Sequence, residues 1–139
     1  MGLIIDLEKK EFWIDGNNPV FEDSEYQGIG FRILVGPLDR IQIAQIRKRF
    51  TKIKRGGRET TKDEEVEIEL FIQQVKEWEG INDTKDKPIP CNDDTKRLIA
   101  TEMFLFASMV NVACMNVRKQ SEEQKEDEAK NLQKPGGGK

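Results

Sequence analysis

The stretch from Phe71 to Ala100, FIQQVKEWEGINDTKDKPIPCNDDTKRLIA, constrains the fold more than any other part of the chain. Gly80 suits the left-handed position just past a helix end. Pro88 and Pro90 fix their own φ and disfavour helix in the residues before them. Asn92 can accept from the first free N–H groups of a following helix, and Asp93 and Asp94 sit favourably at its positive end. The local physics therefore predicts a helix closing on Trp78-Glu79-Gly80, a polar connector, and a new helix from Asn92. Trp78 is expected to pack beneath the connector, where its indole N–H needs an acceptor.

The first of these helices is expected over 62–79. Thr61-Lys62-Asp63-Glu64 has the form of a capping box with Thr61 as cap. Ile68, Phe71, Ile72, Val75 and Trp78 form its inward stripe. Before it, residues 38–53 read as a helix with Ile43, Ile46, Phe50 and Ile53 on one side and Ile41 and Ala44 beside them. The N-terminal part alternates instead. Leu3, Ile5 and Leu7, then Phe12 and Ile14, then Ile29, Phe31, Ile33 and Val35 each recur every second residue, as strands require. Asp15-Gly16-Asn17-Asn18-Pro19 is a turn cluster, and Val20-Phe21-Glu22 reads as a short strand. From Asn92 to residue 118 no Pro or Gly intervenes, so a helix over 92–118 is predicted, with a break near Thr101 open. The fold class is α+β: a small N-terminal antiparallel sheet with strands within about 2–35, then a mainly helical bundle. Residues 1–118 are expected to form one domain, with 119–139 a charged helical to disordered tail.

Several function classes lose ground at once. The chain has no histidine, which removes the commonest general base and metal ligand near neutral pH. Ser24, Ser108 and Ser121 have no evident base. Cys91 and Cys114 make neither a zinc site nor a nucleophile dyad, and are expected as free thiols in a reducing compartment. Glu64, Glu65, Glu67 and Glu69 read as a solvated helix face. Asp83, Asp86, Asp93 and Asp94 lack calcium-loop spacing and read as turn and cap residues. No phosphate-binding glycine motif occurs. The expectation is a protein that is not an enzyme and carries no metal or cofactor.

Arg47 to Arg58 holds seven basic residues and no acid. The carboxylates of 60–79 are available to pair with them, and no aromatic beyond Phe50 is interleaved for base stacking. Specific nucleic-acid binding is not expected. The start of the chain lacks the basic n-region of a signal peptide. The apolar run Met103–Val117 is too short, and too interrupted by Ser108, Asn111 and Asn116, to span a bilayer. That run is nonetheless apolar nearly all round, which marks a helix that is buried, an interface, or both. Phe104, Phe106, Met109, Val112 and Met115 are the candidate partner-binding residues.

Trp78-Glu79-Gly80-Ile81-x-Asp83, a charged loop, Pro88-x-Pro90, the Asn92 cap and the Leu98-Ile99 pair together resemble the tail assembly chaperones of long-tailed bacteriophages. The similarity covers roughly Val75 to Ile99; Asp86-Lys87 stands where that family usually has Asp-Gly. The resemblance implies a small α+β protein acting in the host bacterial cytoplasm, not secreted. Such a protein binds the long, aggregation-prone tape measure protein, with the tail tube protein and its own copies as further partners. It keeps the client soluble until the tail tube polymerises. The alternative reading is a structural virion component, a tail-tube or head–tail connector subunit. A nucleic-acid regulator using Arg47 to Arg58 is a third.

Overall fold

A computed structural model describes residues 11–117. The expected Leu3–Leu7 strand and the 119–139 tail lie outside the described residues. The fold is α+β. Its elements are β1 (Phe12–Asp15), β2 (Arg32–Val35), α1 (Arg40–Arg49), β3 (Thr51–Ile53), β4 (Glu59–Thr61), α2 (Asp63–Gln74), β5 (Val75–Glu79), α3 (Asp93–Glu102) and α4 (Phe104–Val117). A single 3-10 turn, Pro19–Phe21, stands where the sequence predicted a short strand. Pro19 at its start and the Asn18 side chain, which accepts from the Val20 N–H, hold that turn.

The three-stranded sheet runs β1-β2-β5, all antiparallel. Its third strand corrects the sequence reading. The helix predicted over 62–79 ends at Gln74, and Val75–Glu79 is extended and paired with β2. Val75 and Trp78 are three apart, which fits one face of a helix. In the strand, a bulge opposite Leu34/Val35 does the same work. The extra residue lets both side chains face inward although strand alternation alone would part them. Val75 is fully buried and Trp78 nearly so.

Two more elements depart from prediction. The helix expected over 38–53 stops at Arg49, and residues 51–61 form a separate β-hairpin. Thr51, Ile53, Thr60 and Thr61 are β-branched and favour strands, and Gly56-Gly57 supplies the turn. Thr61 is consequently a strand residue whose hydroxyl meets that of Thr51 at 2.8 Å. It does not cap α2, whose N-cap position is Lys62 with no side-chain capping bond.

α2 is central. Ile68, Phe71 and Ile72 face a core shared with the sheet, α3 and α4. Val66 and Leu70 face a second cluster with Leu38 and Ile46, bordered by Ile43 and Phe50. The connector after β5 folds back as foreseen from its prolines. Ile89 N–H donates to the Ile81 carbonyl at 2.9 Å, and the Asp83 carboxylate accepts from the backbone of Lys85 and Lys87. The Trp78 indole donates to the Ile89 carbonyl at 2.7 Å. Asn92 and Thr95 form a reciprocal capping box at the start of α3.

Candidate partner-binding surface

The surface begins at a bend. α3 ends at Glu102, and α4 leaves it at 110°. Met103 sits between them with φ −121° and ψ 58°, outside helical geometry. No Pro or Gly causes the turn. Its continuity comes from the backbone: Met103 N–H donates to the Ile99 carbonyl, and the Met103 carbonyl accepts from Ala107. Packing supplies the reason to bend. Ile99 and Ala100 bury in the main core from α3, while Phe106, Ala107, Val110, Ala113 and Cys114 bury in it from α4. No single helix among the described residues is long and apolar enough to cross a membrane.

The buried positions of α4 recur at helical spacing and define one inward stripe. Phe106 is its anchor. Its ring stacks on Phe21 with centroids 5.9 Å apart, meets Phe31 edge-on at 5.5 Å, and lies 4.9 Å from Tyr26. Burial pushes the Tyr26 hydroxyl's pKa up, helped by a hydrogen bond to Glu25. Asn111 completes the attachment. Its amide nitrogen donates to the Glu67 carbonyl at 2.9 Å and to the Glu67 carboxylate at 2.6 Å. Its oxygen accepts from Gln74 at 3.1 Å, and the Gln74 oxygen accepts from the Leu38 N–H. One polar chain thus ties α4 to α2 and to the entrance of α1.

The opposite side of α4 carries Leu105, Ser108, Val112 and Met115, at i, i+3, i+7 and i+10. Leu105 is 61% exposed, Val112 40% and Met115 37%. Leu98 on α3 and Met103 at the bend are exposed as well. The five residues that the sequence nominated for partner contact are therefore divided. Val112 and Met115 lie on the outer face. Phe104 and Met109 flank it, partly buried against the core. Phe106 is only 4% exposed and belongs to the aromatic core, which corrects its assignment. Leu105 was missed. Helical periodicity could have found it: once Ala107, Val110 and Ala113 are taken as the close-packed line, Phe106 falls beside them and Leu105 opposite.

Other features offer less to a ligand. No group of three or more His, Cys, Asp or Glu side chains is placed to hold a metal ion among the described residues. A shallow cleft of about 460 Å³ lies between the β1 turn and Gly80. Of its charged members, Arg32 and Glu79 are joined to each other at 2.6 and 3.0 Å, the Asp15 carboxylate accepts from the Asn17 N–H at 2.9 Å, and Arg32 also lies over the Trp13 ring at 4.2 Å. That hydrogen-bonded pairing lowers the pKa of Glu79 and raises that of Arg32. Neither Cys91 nor Cys114 forms a disulfide. Burial pushes the Cys91 thiol's pKa up, the opposite of what a reactive nucleophile needs. Comparison with family models, curated proteins and solved structures finds no match to the chain.

Proposed function

We propose that this is a binding protein, a tail assembly chaperone whose client is the tape measure protein of a long-tailed phage. The observation that carries the reading is the outer face of α4. Leu105, Val112 and Met115 stand exposed on a helix whose other side is fully engaged. With the partly buried Met109 at its edge, the row recurs every three to four residues, the complement of an amphipathic client helix. Methionine adds adaptability, which suits a client presenting many similar turns in place of one fixed epitope. The resemblance over Val75–Ile99 names the client class, and the partner surface lies immediately after that segment. The protein acts by covering apolar client surface, without chemistry of its own.

Co-expression with the tape measure protein tests this. The wild-type chain should raise the soluble fraction of the client and co-purify with it. The Leu105→Asp/Val112→Asp double variant should keep its thermal transition and lose both effects. A wild-type chain that leaves the client insoluble defeats the reading. A folded double variant that solubilises as well as wild type moves the surface away from α4.

A further inference from the structure

The β3–β4 hairpin is not used by that reading. It pairs with neither edge of the main sheet. Its root is fixed: Phe50 packs in the α1–α2 cluster, Lys62 N–H donates to the Phe50 carbonyl at 3.0 Å, and the Thr51 hydroxyl donates to the Arg47 carbonyl at 2.7 Å. Beyond the root, every residue from Lys52 to Thr60 is exposed. The tip is closed by Lys54 N–H to the Arg58 carbonyl at 2.7 Å and Gly57 N–H to the Lys54 carbonyl at 3.0 Å. Gly56 and Gly57 have φ of +94° and +80°, which side-chain-bearing residues resist. The result is a rooted two-stranded ribbon with a fixed turn.

Its charge is one-sided. Arg47 and Arg49, at the end of α1, pair with Asp63 and Glu69 of α2 at 3.4 and 3.6 Å. Intramolecular pairing therefore engages Arg47 and Arg49 at the root. Lys52, Lys54, Arg55 and Arg58 lie further out, with Glu59 the one acid in the ribbon. The register pairs Lys52 with Thr60 and Ile53 with Glu59, and the tip bond pairs Lys54 with Arg58. Alternation then puts Lys52, Thr60, Lys54 and Arg58 on one face, and Ile53 and Glu59 on the other. On a chain with net charge −3, this is a concentrated cationic face on an arm rooted in the α1–α2 cluster.

We infer that the hairpin binds the phosphate backbone of duplex DNA without reading its sequence. A two-stranded ribbon fits the B-form major groove, whereas the A-form RNA major groove is too narrow for side chains to enter. The cations reach phosphates on its walls, and counterion release supplies the affinity. With Lys52, Lys54 and Arg58 committed to phosphates, contacts that carry no sequence information, only Thr60 remains on that face to meet a base edge, so the binding discriminates little between sequences.

The experiment is fluorescence anisotropy of the full chain with a short labelled duplex, over a salt series. Wild type should bind at low salt, with a log–log salt slope of about −2.7 to −3.6 for three to four phosphate contacts. Single changes Lys52→Gln, Lys54→Gln, Arg55→Gln and Arg58→Gln should each flatten that slope by about one contact, roughly 0.9. The combined variant should lose binding with an unchanged thermal transition, and Ile53→Ser should bind as wild type. A duplex of unrelated sequence should compete equally. Absence of wild-type binding at low salt overturns the inference, as does a combined variant that still binds. Preference for phosphatidylserine vesicles or polyglutamate over DNA, with the same variant dependence, overturns it in favour of a membrane or an acidic protein.

Discussion

Trp78 shows what one residue contributes at the junction of strand and connector. It is buried against the core and spends its only polar atom on the Ile89 carbonyl. Trp78→Ala should cost roughly 3–5 kcal/mol by chemical denaturation, from lost burial and the cavity left behind. Trp78→Phe keeps most of the burial and removes the donor, so it should cost about 1–3 kcal/mol as the Ile89 carbonyl loses its partner. Two residues on, Gly80 has φ +78°, and a Cβ there would run into the Gly30 carbonyl oxygen. Gly80→Ala should therefore destabilise by more than the roughly 1–2 kcal/mol of a left-handed conformation alone. The Arg32–Glu79 pair adds a pH dependence. Glu79's pKa is lowered in the folded state, so the pair's contribution is fully present above the ordinary carboxylate pKa. It is lost as pH falls through the lowered folded value. Both side chains are about half exposed, so salt should weaken it. NMR titration of the Glu79 carboxyl should show its pKa rising toward the ordinary value in Arg32→Gln; an unmoved value would show the pair has no such effect.

At the scale of elements, what could be read from the sequence depended on whether one spacing had one structural meaning. The Asn92 cap, the proline return and the Asp15–Pro19 turn were legible because each rests on local chemistry that admits few alternatives. Phe71, Val75 and Trp78 were legible as core but not as helix and strand. A bulged strand and a helix both bring i and i+3 to one side, and only pairing with β2 decides between them. The 38–53 segment failed for a related reason. Phe50 and Ile53 continue the helical stripe, yet Ile53 ends up 73% exposed on the hairpin. The bend at Met103 had no punctuation residue to reveal it. Asn111 was visible only as an interruption of an apolar run. In the structure it satisfies Glu67 and Gln74 together. Asn111→Leu should leave both without their partner and cost about 1–3 kcal/mol by chemical denaturation, despite the more apolar side chain. A neutral or stabilising result would mean that water or rearrangement satisfies them as well.

For the molecule as a whole, α4 must serve two demands with one run of apolar residues. Its inward stripe closes the core over α2 and the sheet, and its outward stripe stays exposed. These demands separate by stability. Phe106 is surrounded by Phe21, Tyr26 and Phe31, and Phe106→Ala should cost roughly 3–5 kcal/mol as that cluster loses its fourth ring. Leu105, one residue earlier, has most of its surface exposed already. Leu105→Ala should shift stability by no more than about 0.5 kcal/mol, as substitutions at open surface sites do. Neither substitution disfavours helix, since alanine is the best helix former, so the contrast isolates packing from propensity. Urea denaturation of the two variants beside wild type measures it directly, with equal m-values required for the comparison to be of stability alone. A large loss at Leu105 would mean that the outer stripe is covered in solution, by another copy or by residues outside 11–117. It would then not be an open surface for a client. A small loss at Leu105 beside a large one at Phe106 would show that the outer stripe adds little to stability and stays exposed in the folded protein, as the proposed client surface requires.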